Sequence, residues 1–293
     1  MITSISNAGI RRIKDYLCKK KARDRDSCFV AEGLRLVLEV PAERILSIFI
    51  SESFEKKADD DLRRFLNAHA SHTEIVDDIV FRKLSDTETP QGILAVVKKI
   101  NFSLEDVIRG RLPASSDRCT TKPYASTSDL ISSAESERYM SMPPLLLILD
   151  GLQDPGNLGT ILRSAEAAGA TGILLCEGTV DIYSPKVVRS TMGSIFRLPF
   201  AQIGDLREAV TIMKKHGIKT AAADMAGNIT YDAFDSAGPV AFIIGNEGNG
   251  LSELAKTLTD TFVSIPMAGK TESLNAAVCA SLLLFDAARK RRS

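Results

Sequence analysis

No C-x-x-C pair occurs in this chain, and its five cysteines, Cys18, Cys28, Cys119, Cys176 and Cys279, are odd in number. A disulfide framework therefore lacks its usual signature. No apolar run reaches the roughly 18 residues of a membrane span, and no secretory signal is present. These absences place the protein in the reducing cytoplasm, away from the membrane. His69 and His72 are spaced as metal ligands can be, but no Cys or acidic partner completes a set, so no metal is expected. His216, just before Gly217, instead suits a helix C-terminus. Lys plus Arg and Asp plus Glu each total 37, so no bulk charge announces a nucleic-acid partner. The chain also lacks G-x-S-x-G and H-E-x-x-H, which removes the usual signals for a serine-hydrolase elbow and a zinc protease, and its single G-K-T, Gly269-Lys270-Thr271, has Ser264 where a phosphate-binding loop carries its first glycine.

What is present reads as a globular α/β protein. The 293 residues suffice for two domains, and 44% hydrophobic with 25% charged residues is ordinary for such a fold. Charge is unevenly placed: Arg11, Arg12, Lys14, Lys19, Lys20, Lys21, Arg23 and Arg25 face only Asp15 and Asp24, and the chain closes on Arg289–Arg292. A basic helix of this kind is a solvated face, an RNA-contacting surface or an organelle-targeting helix, the last disfavoured by its lysines and its acidic residues.

The first hundred residues alternate short strands with helices. Periodicity predicts helices at 7–18, 33–40 and 55–70, and strands at 29–31, 45–50, 74–76 and 92–97. A Ser/Thr-rich stretch at 103–142 has almost no core-forming residues and reads as a linker, with a helical piece near 104–109. A second domain at 143–293 repeats the alternation. It has strands at 145–149, 172–176, 218–224, 240–244 and 261–265, and helices from Ser184-Pro185 through Met192, at 205–216, at 252–258 and at 274–290, the last capped by Ser273. Such a pattern predicts a mostly parallel sheet with helices on both faces.

The segment LLLILDGLQDPGNLGTILRSAEAAGA, residues 145–170, organises that domain. A buried strand feeds a loop, Asp154-Pro155 offers a helix cap and a first-turn proline, and Gly169 suits a left-handed end. Two more glycine-bearing loops follow strands, GNEGNGLS after residue 244 and PMAGKTESLNAA after residue 265. A dinucleotide site with Glu177 as the ribose acid is one reading, but Gly151, Gly156 and Gly159 fail the G-x-G-x-x-G spacing.

The three loops DPGNLGTILRSAEAAG, IIGNEGNGLS and IPMAGKTESLNAAVCAS resemble, in content and order, the motifs of the SpoU/TrmH family of RNA ribose 2′-O-methyltransferases. FVAEGLRLVLE and TETPQGILAVV are similar to the L30e-like substrate-binding domain that precedes the catalytic domain in many members. The resemblance implies an RNA-binding domain at 1–102, a linker at 103–142 and a methyltransferase domain at 143–293 with a C-terminal trefoil knot. It implies S-adenosylmethionine held by Gly245, Ile265, Met267 and Leu274, near the strand end at 222–224. It assigns Arg163 as the catalytic arginine, Asn157 as the residue orienting Arg163 or the ribose, and Glu247, Ser273 and Asn275 as completing the pocket. It further implies a homodimer through the knot region, with Arg11, Arg12, Lys19, Lys20 and Lys21 guiding RNA, ribosomal RNA being favoured over transfer RNA. The alternative is an RNA-binding assembly factor of the same fold without essential catalysis.

Overall fold

The computed structural model describes residues 1–85, 87–109, 142–271 and 273–292. Among these, two compact units form: one from 1–100 with 181–196, the other from 101–109, 142–180 and 197–292.

The first unit carries strands β1 (Cys28–Glu32), β2 (Ile45–Ser51), β3 (Thr73–Val76) and β4 (Ile93–Lys98), in the order β1-β4-β2-β3. β4 runs antiparallel to both neighbours, and β3 adds parallel to β2. Helix Ala8–Cys18 is capped by the Asn7 side chain and buries Ile10, Ile13 and Leu17, a helical period set against the sheet. Helix Asp78–Leu84, too short to stand out by periodicity, closes the same core with Val80, Phe81 and Leu84. The single helix expected at 55–70 is two, Glu52–Lys56 and Asp60–Ala68. The reason is local: the Asp59 side chain accepts the Leu62 N–H at 2.8 Å and starts a new helix, with Asp60 and Asp61 favourably placed at its positive end.

Residues 181–196 complete this unit. Helix Pro185–Ser190 packs on β1. Phe29 lies 4.9 Å from Tyr183 and 6.2 Å from Phe196, ring centre to ring centre. The Tyr183 hydroxyl donates to the Ile100 carbonyl and accepts the Ile100 N–H at 3.0 Å. Arg23, inside the basic stretch, is 4% exposed, donates to the carbonyls of Tyr16 and Leu17, and pairs with Asp181 at 2.6 Å.

The second unit has one parallel sheet. Its strands are β5 (Leu145–Leu149), β6 (Gly172–Cys176), β7 (Phe200–Ile203), β8 (Lys219–Ala223), β9 (Ile229–Thr230), β10 (Val240–Ile244) and β11 (Thr261–Ser264). They stand in the order β7-β6-β5-β10-β8-β11-β9, every adjacent pair parallel. β7 and β9 add to the expected strands. β5 is buried throughout, as a strand covered on both faces must be. Leu146, Ile148, Ala241 and Ile243 join one core with Leu206, Val210, Met213 and Ala255. Their alternates on β10 face the other way, where the final helix, Ala276–Lys290, packs against β10 and helix Pro155–Ala168. Each fully buried aliphatic side chain contributes roughly 1.5–3 kcal/mol.

Two further differences from the sequence expectations have local causes. The final helix is capped by Asn275, whose carbonyl accepts the N–H groups of Ala277 and Val278, and not by Ser273. Of the linker, residues 110–141 lie outside the described residues. Helix Leu104–Ile108 is formed, closed by a Ser103–Asp106 capping box, with Val107 and Ile108 in the core of the second unit.

Candidate active site

β5 and β10 are neighbours, yet the chain travels outward from β5 through β6 to β7 before returning to β10 by way of β8. The strand order therefore reverses between them, and loops leaving their carboxyl ends flank the crevice where open α/β sheets place ligands.

Helix Pro155–Ala168 starts there as its sequence dictates. Asp154 accepts the Asn157 N–H at 2.7 Å, proline follows the cap, and Gly169 ends the helix at φ 78°. The loop after β10 closes on itself through paired backbone bonds between Asn246 and Gly250, at 2.8 and 2.9 Å. Gly245 permits that closure, because a side chain there would collide with the Gly250 backbone. Side chains then bind this loop to the one after β5. Asp150 accepts the Ser252 N–H at 2.7 Å, and the Asn246 amide donates to the Gly151 carbonyl at 2.8 Å. Glu247 accepts the N–H groups of Gln153 and Asp154, each at 3.1 Å.

Asn157 joins all three loops. Its amide nitrogen donates to Glu247 at 2.9 Å, and its carbonyl oxygen accepts from the Asn275 amide at 2.9 Å. Partial burial pushes the Glu247 carboxyl upward, but the Asn157 amide and the backbone donors outweigh it and hold it below the usual glutamate range. The result is an ionised acceptor fixed at the mouth of the crevice.

Arg163 stands outside this network. It is exposed, makes no ion pair with a described residue, and lies six residues beyond Asn157, about 9 Å along the helix axis. The Asn157 side chain hydrogen-bonds Glu247 and Asn275, and no hydrogen bond joins it to Arg163. Ser273 is exposed and bonds to no described residue. Ile265, Met267 and Leu274 are half-buried, as is Gly245. Among the described residues, the peptide groups of 265–274 make no backbone hydrogen bonds outside the regular elements. Half-buried apolar side chains beside available backbone donors and acceptors suit the faces and edges of a purine-bearing cofactor such as S-adenosylmethionine.

Arg11, Arg12, Lys19, Lys20 and Lys21 are exposed in the first unit, and Lys19 pairs with Asp15 at 2.7 Å. The C-terminal basic run is largely structural. Arg291 donates to the carbonyls of Pro143, Pro144, Ser236 and Gly238, and Lys290 to that of Phe234. Sequence reasoning missed the roles of Asp150 and Asn246. Their position at the glycine-bearing strand ends was the available signal.

Comparison with known proteins gives this geometry a family. Residues 144–285 match the SpoU rRNA Methylase family, and residues 7–95 match the MRM3-like substrate binding domain. An uncharacterized tRNA/rRNA methyltransferase of Mycolicibacterium vanbaalenii is 41% identical over 170 residues, covering 58% of this chain and 53% of that protein. YacO of Bacillus subtilis, assigned to the TrmH family of tRNA/rRNA methyltransferases, is 35% identical over 188 residues, covering 64% of this chain and 74% of that protein. The chain spans about half the length of the first curated relatives it matches. Among solved structures, an AdoMet-bound rRNA methyltransferase from Sinorhizobium meliloti superposes with a TM-score of 0.77 at 28% identity, over 98% of this chain and 97% of that one. An RNA 2′-O ribose methyltransferase superposes with a TM-score of 0.72 at 29% identity, over 100% and 99%. With three loops in family order meeting at one junction, and a relative of which three quarters is matched, this chain belongs to the SpoU/TrmH family.

Proposed function

We propose that this chain transfers a methyl group from S-adenosylmethionine to a ribose 2′-hydroxyl of RNA, with ribosomal RNA favoured over transfer RNA. The observation that carries the reading is the Glu247–Asn157–Asn275 junction, which gathers three loops at the switch point of the sheet.

When bound, S-adenosylmethionine supplies a methyl group activated by its sulfonium. The transfer is an in-line displacement that needs alignment and removal of the hydroxyl proton. Gly245, Ile265, Met267 and Leu274 hold the cofactor. After its two bonds, Asn157 retains one amide hydrogen and one carbonyl lone pair, which orient the ribose. Glu247 keeps Asn157 in that pose, and Ser273 and Asn275 complete the rim. Arg163 acts as an exposed cation that grips an RNA phosphate and stabilises the developing alkoxide.

Residues 1–102 serve as the RNA-binding domain and 143–293 as the methyltransferase domain, with the C-terminal segment in a trefoil knot. Arg11, Arg12, Lys19, Lys20 and Lys21 attract RNA, so affinity falls steeply with salt. The final helix supports the homodimer reading. Val278 and Phe285 are 48% and 46% exposed and line, with Thr160 and Tyr231, a surface cavity of about 430 Å³ that a second copy would cover. No described helix is long and apolar enough to cross a membrane, and we place the protein in the cytoplasm.

The test is nucleoside mass spectrometry on RNA from cells lacking this protein, complemented with wild type or Arg163→Ala. One 2′-O-methylnucleoside is expected to disappear and to return only with wild type. Unchanged ribose methylation would instead support the reading as an RNA-binding assembly factor.

A further inference from the structure

Helix Pro185–Ser190 ends in a turn that holds Met192 at φ +50° and Gly193 at φ +93°. Glycine adopts this left-handed region freely, whereas a residue with a Cβ does so at a cost. Among the described residues Ser27 is the one other non-glycine there, and its small polar side chain suits the tight turn before β1. Met192 is a large apolar side chain left 48% exposed. Its packing does not explain why a residue with a Cβ occupies the position.

The backbone around it is firmly set. Thr191, Ser194 and Ile195 are 0%, 2% and 0% exposed. The hydroxyls of Ser190 and Thr191 donate to the carbonyls of Val187 and Val188 at 2.8 and 2.7 Å, and the Met192 N–H to that of Arg189 at 3.3 Å. The whole segment is fixed within the first unit by the Asp181–Arg23 pair and the Tyr183–Ile100 bonds. Residues 184–196 contain Lys186 and Arg189 and no acidic residue, and Lys186 is exposed without an ion pair to a described residue. Arg189 faces Glu32 at 3.9 Å, so the exposed cation of the segment is Lys186, and a rigidly presented thioether beside it fits a flat group carried on an anionic chain.

We propose that Met192 contacts an unstacked base of the RNA substrate with its thioether arm, while Lys186 takes a neighbouring phosphate. This rests on the reading above that the substrate is RNA. Apolar side chains wedge between bases in other nucleic-acid complexes, methionine sulfur favours aromatic rings, and RNA recognition targets splayed bases.

The test uses the full chain and deproteinised ribosomal RNA from cells lacking this protein. Filter binding gives the RNA Kd, and methyl transfer from tritiated S-adenosylmethionine gives RNA KM and kcat. Met192→Ala keeps the strained backbone and removes the thioether. It is expected to raise RNA Kd and KM about fivefold, the low end for loss of a base-stacking contact, with kcat at saturating RNA and cofactor affinity unchanged. Met192→Leu, which keeps the apolar bulk and loses the sulfur, should fall between wild type and Met192→Ala, and Met192→Gly, which relieves the backbone, should lose RNA affinity as Met192→Ala does. RNA Kd and KM equal to wild type in both Ala and Gly variants would overturn the Met192 contact while leaving RNA methyl transfer intact. A wild-type chain that neither binds nor methylates this RNA would overturn the proposed function, and the Met192 contact with it.

Discussion

Asn275 and Asn157, 118 residues apart in sequence, meet through one hydrogen bond of 2.9 Å, in which the Asn275 amide donates to the Asn157 carbonyl. The same Asn275 caps the final helix with its oxygen, and Asn157 spends its own amide on Glu247. Each side chain is thus held at both ends, and the amide orientations are mutually required.

This polarity makes carboxylate substitutions informative. Asn275→Asp keeps the cap but places an oxygen where the donor to Asn157 stood, so melting temperature should hold while kcat falls about tenfold. Asn157→Asp sets a second carboxylate against Glu247, and kcat should fall about 100-fold or more, the scale of a lost pre-organised donor. Steady-state methyl transfer alongside thermal melts checks both, and equal activity in all three proteins would remove Asn157 from the site.

The lowered pKa of Glu247 has a definite pH signature. A carboxyl depressed on folding contributes stability that is present above its unfolded value and is lost as pH falls through its folded value. Wild type should therefore exceed Glu247→Gln by a constant margin at neutral pH. That margin should shrink below the ordinary glutamate value of 4.5. Urea titrations of both proteins at several pH values measure it, and a margin that grew with acidity would contradict the assignment.

The Arg23–Asp181 pair is buried, with side chains 5% and 11% exposed. Removing one partner leaves an uncompensated charge, so Arg23→Ala and Asp181→Ala should each destabilise the chain by about 3–5 kcal/mol. The double variant should lose much less than the sum of the two. Additive losses in a urea double-mutant cycle would show that the two charges do not act as a pair.

Burial pushes the Cys176 thiol up to about 12 and the Cys279 thiol up to about 11, so both are protonated at neutral pH. Cys18 is exposed and Cys28 buried. In a Cys119→Ser background, iodoacetamide at neutral pH should label Cys18 first and the other three only on unfolding. Peptide mass mapping reads the order directly.

Much of the second unit is legible locally. The LLLIL run, Asp154-Pro155 and Gly169 determine a buried strand, a capped helix start and a left-handed end, because each rests on backbone preferences within a few residues. The glycine-bearing loops after β5 and β10, and the segment before the final helix, are likewise legible, and the structure joins them by hydrogen bonds. Short elements such as Asp78–Leu84 and Ile229–Thr230 escape this reading, since a turn or two of helix or a pair of strand residues has too few positions to establish a period.

By itself, then, the sequence determined the alternation of strands and helices, the strand ends that bear loops and the residue types available there. The tertiary structure decided which of them meet. Asn275 rather than Ser273 became the cap because the helix starts at Ala276, and its amide then reaches Asn157. Residues 181–196 joined the first unit, and Arg23 and Arg291 left the basic surface for partners 158 and up to 148 positions away. Periodicity and composition report a residue's neighbours along the chain, whereas burial and pairing of charges are set by surfaces that come together only when the sheet orders its strands.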